Sequence, residues 1–299
     1  MLPLTQVVKF RLFMADKFVF RETPSGTDPV QDKLQRARLA LHNRRPNEAE
    51  QILGELLKTH PQDARPLNLF AYSLLMQNRA HDAIAVLEPA VRRFHDPELD
   101  TQLALALRQA GRNEDALLRL RRAAKGRPPF PPAFYELGCL LFSMKRNGEA
   151  VEALDLGLEA APTPELSAQF GHVFLALRDY AGAKKAFARM LSFVATAPDA
   201  LWGMGKAHQG TGENRAAIDY FRRCLAQMPN DTGSLLNLGY SLLEVGDLDA
   251  GHDCFRKAAR GSETNYAGAL ATLVKSRRGR FWLKPSEAKS FLRGDVRKP

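Results

Sequence analysis

Seven small residues, Ala49, Ala83, Ala116, Ala150, Ala183, Ala217 and Gly251, stand 34, 33, 34, 33, 34 and 34 positions apart. A second set, Ala37, Ala71, Ala104, Gly138, Gly171, Gly205 and Gly239, recurs with the same steps. Self-similarity of this period restricts the chain to an array of one supersecondary unit. Within a unit, apolar residues recur at i, i+3, i+4 and i+7, as Leu103, Leu107, Leu117 and Leu120 do, so each unit reads as two helices of about 13 residues. The small residues are expected where the two helices cross most closely. Phe187, Phe221 and Phe255 are expected to fill the space between neighbouring units. Gly111, Gly212 and Gly246 end first helices, where a left-handed residue is wanted. Pro61, Pro128, Pro162 and Pro229 follow second helices and stop propagation. One helix pair cannot bury its apolar face, so stacking must supply a continuous core. No strand pattern of credible length competes.

The strings FYELGC from Phe134, LWGMGK from Leu201 and LLNLGY from Leu235, with the small and aromatic residues that follow them, resemble the tetratricopeptide repeat. The resemblance covers residues 30–265. It implies an all-α chain, a right-handed superhelical α-solenoid of about seven helix–turn–helix repeats, near 30–63, 64–96, 97–130, 131–163, 164–197, 198–231 and 232–265. Residues 1–29 form an N-terminal extension. Residues 266–299 supply a capping helix, with Ala267, Leu270, Leu273 and Val274 on one side, and a basic tail. The first unit fits least well, because Arg36 holds an apolar position.

The resemblance also implies that first helices line the concave face. Its inward positions map onto Asn68, Tyr72, Arg108, Tyr135, Gln169, His172, Trp202, Lys206, Asn237 and Tyr240, with Met76, Gln102, Gln109, Phe142 and Gln209 beside them. Aromatics there offer area at low entropy cost and amides can bond a peptide backbone. The expected ligand is an extended peptide or a helix of another protein, with Trp202 as the chief anchor. The alternative is that Tyr72, Tyr135 and Tyr240 only finish inter-helix packing. Arg38, Asn68 and Tyr72 partly imitate the cluster with which some family members grip a terminal carboxylate, but a paired cation from the next unit is missing.

The net charge of +10 is concentrated at one end. From Lys275 onward nine Lys and Arg face Glu287 and Asp295, so the rest of the chain is only mildly basic. Arg277, Arg278, Arg280 and Lys284 are interleaved with Phe281, Trp282 and Leu283. The segment reads either as the end of the cap or as a contact for an anionic membrane or nucleic acid. Neither ligand is the leading expectation, because a nucleic-acid binder more often spreads its basic stripe over the folded body. The convex cluster Arg119, Arg121, Arg122, Lys125 and Arg127 reads as a solvated face.

Catalytic patterns such as HExxH, GxSxG and GxxxxGK[ST] are absent. The glycines at 203, 205, 210 and 212 around Lys206 superficially suggest a phosphate loop but lack a preceding strand. His208 falls at an inward position and is expected in the core. His252, Asp253 and Cys254 are sequence neighbours and point apart on a helix. No cofactor, metal or small-molecule substrate is expected. Cys139, Cys224 and Cys254 form no CxxC pair, and Lys9, Arg11 and Lys17 interrupt the only candidate export signal. The reading is a cytoplasmic chain with reduced thiols, its composition fitting a bacterial source, with translation starting at Met1 or Met14. The expected function is a non-catalytic scaffold. A second reading, from resemblance to arrays that precede sulfotransferase or glycosyltransferase domains, makes it the accessory subunit of a separate enzyme.

Overall fold

The computed structural model describes residues 29–61, 63–160, 163–260, 262–275 and Leu292. These fall into two compact units divided after Ala160. The first contains α1 (Pro29–His42), α2 (Pro46–Thr59), α3 (Ala64–Met76), α4 (Ala80–Phe94), α5 (Pro97–Gln109), α6 (Asn113–Ala124), α7 (Pro131–Ser143) and α8 (Asn147–Ala160). The second contains α9 (Pro164–Leu177), α10 (Tyr180–Phe193), α11 (Pro198–Gly210), α12 (Asn214–Gln227), α13 (Thr232–Val245), α14 (Leu248–Ala258) and α15 (Glu263–Lys275). The described residues contain helices and no strand. They form a tetratricopeptide-type solenoid, each helix packing on its neighbours in sequence order within its unit.

Local chemistry sets the helix starts. Proline occupies the first turn of α2, α5, α7, α9 and α11, where its missing N–H costs nothing. Side chains of Asp63, Asp96, Thr163, Asp179, Asp231 and Asp247 accept backbone N–H groups at helix N-termini. After the first helix of every pair the backbone turns left-handed, at Arg44, Asn78, Gly111, Lys145, Arg178, Gly212 and Gly246. Glycine fills three of these seven positions. The others accept the steric cost of a Cβ there, on the order of 1 kcal/mol each.

The close crossings explain the small residues. Leu53, Leu87, Leu120, Leu154, Phe187, Phe221 and Phe255 occupy one register on the second helices, and each is at most 1% exposed. Where this residue is Leu, the facing first-helix position is Ala in three units and Gly138 in the fourth. Where it is Phe, the position is Gly171, Gly205 or Gly239. A Cβ on Gly205 would lie 2.6 Å from the Phe221 ring, and one on Gly171 2.8 Å from Phe187. The Phe187 ring reaches the next unit too, because a Cβ on Gly203 would sit 2.3 Å from it. Burying each ring contributes about 1.5–3 kcal/mol, which offsets the helix penalty of the glycines, about 1 kcal/mol apiece.

Within each unit neighbouring first helices touch: α1 with α3, α3 with α5, α5 with α7, and α9 with α11, α11 with α13, α13 with α15. Among the described residues, the backbones of second helices neighbour first helices, and second helices reach one another only through long side chains, as Arg122 does to the Val91 carbonyl and Arg121 to Glu149. The first helices therefore crowd together on the inner side of each unit while the second helices fan apart.

Helix α15 caps the second unit by packing on α13 and α14. Its inward face is Ala269 and Leu273, both buried, with Tyr266 and Leu270 beside them; Leu292 joins the same cluster with Leu243 and Phe255. Ala267, expected on that face, is exposed, because the helix meets α13 one step round from the anticipated stripe. Residues 1–28 and the basic tail residues Arg277, Arg278, Arg280 and Lys284 lie outside the described residues.

Gly205→Ala should lower the urea midpoint, with a loss of about 1–3 kcal/mol from overpacking against Phe221. Phe221→Leu in the same chain should return part of the loss. A fully additive double variant would show that the ring does not dictate the glycine.

Candidate functional site

In the second unit, α9, α11 and α13 present their inner side chains as one row of half-buried groups. His172 on α9 meets both carboxylate oxygens of Asp199, at the start of α11, through Nε2 at 2.9 and 3.0 Å. Its ring stands edge-on to Phe187, centroids 5.2 Å apart, and 6.1 Å from Trp202. Trp202 rests one side on the cluster of Ala217, Ile218, Phe221 and Leu238. One turn further along α11, Lys206 Nζ donates to Gln209 Oε1 at 3.0 Å and to Asn237 Oδ1 at 3.1 Å. Gln209 Nε2 donates to the Asn237 carbonyl and to Ser241 Oγ, and Asn237 Nδ2 to the Gly233 carbonyl. These amides are fixed in orientation by bonds between adjacent helix pairs. Tyr240 packs against the cap cluster, and Gln169 Oε1 is buried without a hydrogen bond among the described residues.

The first unit gathers its inner residues differently. Tyr72 is 7% exposed, a member of the core cluster with Leu69, Leu53 and Leu34, so it offers no open surface. Asn68 donates through Nδ2 to Glu98 on the next first helix. Burial, then Asp96, raises the Glu98 carboxyl above its ordinary value, while Asn68 and Arg38 pull it down. The partial carboxylate clamp of Arg38 and Asn68 therefore faces a carboxylate of the chain itself. Arg108 donates to buried Glu136 at 2.9 Å. Burial lowers the guanidinium, but Glu136, Cys139 and Tyr135 together hold Arg108 above its ordinary value. Burial, then Cys139, pushes the Tyr135 hydroxyl well up. The Cys139 thiol is pushed up to about 12 by burial and Glu136, which leaves it un-ionised and unreactive at neutral pH.

The partners Glu98, Glu136, Asp199 and Ser241 escaped the sequence reading. Each comes from the helix pair after that of the residue it engages, between 27 and 32 positions on. That offset is a usable signal in an array, since one helix pair separates adjacent inner faces.

Two further readings change. His208 is not a core residue: it is half-buried, stacks on Tyr220 with centroids 5.2 Å apart, and bonds Glu213 at 2.5 Å. The convex arginines are not merely solvated: Arg122 and Arg119 flank buried Asp100 at 2.8 and 3.7 Å. Glu149 is half-buried and accepts from Arg121 and Arg146. The glycine-rich string lies within α11 and its turn, where Gly203 and Gly205 make room for phenyl rings.

Family models of the tetratricopeptide repeat match residues 40–106, 101–163 and 199–231, together more than half of the chain. The chain belongs to the tetratricopeptide-repeat family. Solved family structures agree with the fold. The C-terminal part of a repeat protein from Cytophaga hutchinsonii is 11% identical with a TM-score of 0.58, covering 79% of this chain and 98% of that one. PilW, a type IV pilus biogenesis factor, is 17% identical with a TM-score of 0.55, covering 72% and 99%. YrrB, a repeat protein with a peptide-binding site, is 18% identical with a TM-score of 0.51, covering 62% and 96%. No curated protein matches the sequence. Among the described residues of this repeat array, no three His, Cys, Asp or Glu converge to hold a metal. None of its described helices is long and apolar enough to cross a membrane.

Two expectations test this electrostatic layout. Glu136→Leu strands the Arg108 charge and should cost about 3–5 kcal/mol, whereas Arg108→Leu with Glu136→Leu should recover most of it; chemical denaturation reads both. Glu213 is held down to about 2 by Lys184, His208 and Thr211. Its folded value lies below the unfolded one, so its contribution is complete above about pH 4.3 and fades as pH falls toward 2. Carboxyl NMR should show Glu213 titrating near pH 2, and Glu213→Gln should lower the melting temperature at neutral pH but not below pH 2. A titration near 4.3 would contradict the network.

Proposed function

We propose that this chain is a non-catalytic scaffold that binds a peptide or helix of a partner protein along the inner row of α9, α11 and α13. The observation that carries the reading is the pairing of an accessible aromatic anchor, Trp202 with His172, with a fixed ladder of Lys206, Gln209, Asn237 and Ser241. Aromatic area supplies affinity with few rotors to immobilise, and oriented amides offer donors and acceptors to a peptide backbone. Pre-ordered side chains also reduce the entropy lost on binding. YrrB, similar in fold, has a peptide-binding site, which supports a peptide as the ligand class. In the first unit the inner polar groups are spent on Glu98 and Glu136, so Asn68, Arg108 and Tyr135 serve this reading less directly. Two further features support a structural rather than chemical role. The thiol beside the buried ion pair is un-ionised, and the inner carboxylates are bonded to His, Asn or Arg. The protein acts inside the cell as an adaptor, and any chemistry belongs to its partner.

A photo-crosslinking residue placed at Gln209 should capture a discrete partner in host cells, and one placed at exposed Gln51 on α2 should not. Trp202→Ala should reduce the capture at least tenfold while Lys206→Ala reduces it less. Equal capture from both positions would remove the inner row as the site.

A further inference from the structure

Large apolar side chains stand open where α10 and α12 end. Phe193, Val194 and Met228 are 59, 46 and 42% exposed. Val194 and Met228 lie 34 residues apart, at one register of the array. Each caps its helix with extended backbone, at φ −136° and −131°. The same turn follows both, since their carbonyls accept the N–H groups of Ala197 and Asp231. A bond between the pairs joins the two ends: Arg223 on α12 donates to the Ala195 carbonyl at 3.2 Å. Exposed apolar side chains gathered in this way mark a surface that another body covers.

Positive charge surrounds these tips. Arg222, Arg223, Lys257 and Arg260 are exposed on the C-terminal halves of α12 and α14 and just beyond. Arg223 meets the Ala195 carbonyl and the Tyr220 ring, 5.3 Å away, and both are neutral. Among the described residues no carboxylate pairs with Arg222, Lys257 or Arg260. The acids of the same edge are engaged elsewhere: Asp199 by His172, Asp231 by the Ser234 N–H at 2.7 Å, and Asp253 by Arg256. Asp219 stands one turn before Arg222 on α12.

Apolar tips set among uncompensated cations select the occupant. A nucleic acid would neutralise the cations and leave Phe193, Val194 and Met228 in water. A second copy meeting this patch with its own would set like charges face to face. The chain's segment after Lys275 carries the same sign, with nine Lys and Arg against Glu287 and Asp295. An anionic bilayer satisfies both features at once, because headgroups take the cations while the tips enter the boundary of the acyl region.

We propose that the edge formed by the ends of α10, α12 and α14 docks on an anionic membrane surface. The contact is shallow, made by helix ends, and none of the described helices crosses the bilayer. Each signal alone binds weakly, so attachment needs the cations and the apolar tips together. The inner row lies on the first helices and stays open, and the proposal does not rest on the reading given to that row.

Flotation of the full chain with vesicles tests this. The chain should rise with vesicles of equal parts phosphatidylcholine and phosphatidylglycerol and stay behind with phosphatidylcholine alone. Arg222→Gln with Lys257→Gln and Arg260→Gln should weaken partitioning roughly a hundredfold, at about fivefold per cation. Phe193→Ser with Met228→Ser leaves the charge unchanged and should weaken it about tenfold. Both variants should keep the helical circular dichroism of the wild type, because every replaced side chain is exposed. Raising salt from about 0.1 to about 1 M should release the wild type, as the screening length falls from about 10 to about 3 Å. The assignment fails if the wild type ignores phosphatidylglycerol. It fails if Phe193→Ser with Met228→Ser floats as the wild type does, since the edge is then a charge contact open to any polyanion. It fails equally if the cation variant floats unchanged, or if flotation is lost only on replacing Arg277, Arg278, Arg280 and Lys284 by Ala.

Discussion

The close crossing of first and second helix in each pair is the constraint on which the array rests. A large apolar side chain from the second helix must enter the backbone of the first, and the first helix admits it only by giving up its own side chain. Leu53, Leu87 and Leu120 need no more than an alanine opposite them, whereas Phe187, Phe221 and Phe255 require glycine. The same rings pack onward into the next unit, so one choice of residue couples the fit within a pair to the fit between pairs. The period of 33 or 34 residues is the sequence trace of that demand.

Crowding of the first helices on the inner side has an electrostatic consequence. Polar side chains from successive units are pressed together, and burial makes unpartnered charge costly. The first unit answers with bonds from Asn68 to Glu98 and from Arg108 to Glu136, which turns its inner face into supporting structure. The second answers mainly with neutral amides and an aromatic pair. Lys206, Gln209 and Asn237 hold one another in place and Trp202 keeps one side open. The same repeat thus yields an inner face closed by ion pairs in one unit and one lined by bonded amides and a half-exposed Trp202 in the other.

The helix pairs, their order and the crossing residues were legible before any coordinates, because close packing leaves no latitude at Ala37 or Gly205. The left-handed turns were only partly so. Gly111, Gly212 and Gly246 announce them, but Arg44, Lys145 and Arg178 adopt the same backbone with no sequence sign, since tertiary packing outweighs a local penalty near 1 kcal/mol. His208 misled because its register points inward, yet it sits at the end of α11, where the chain turns and Glu213 can draw the ring outward. Ala267 and Ala269 changed places because the cap is not a full repeat and its stripe cannot be extrapolated from the array.

The amino-acid sequence by itself determined that this is an all-helical array of one repeated unit, because steric fit at each crossing is imposed locally and recurs. Only the tertiary structure decided which inner side chains remain available. Tyr72 is buried, Arg108 is consumed by Glu136, Lys206 is held by Asn237 and Trp202 stays half-exposed, because each outcome depends on neighbours one helix pair away along the chain, brought near only when the pairs stack.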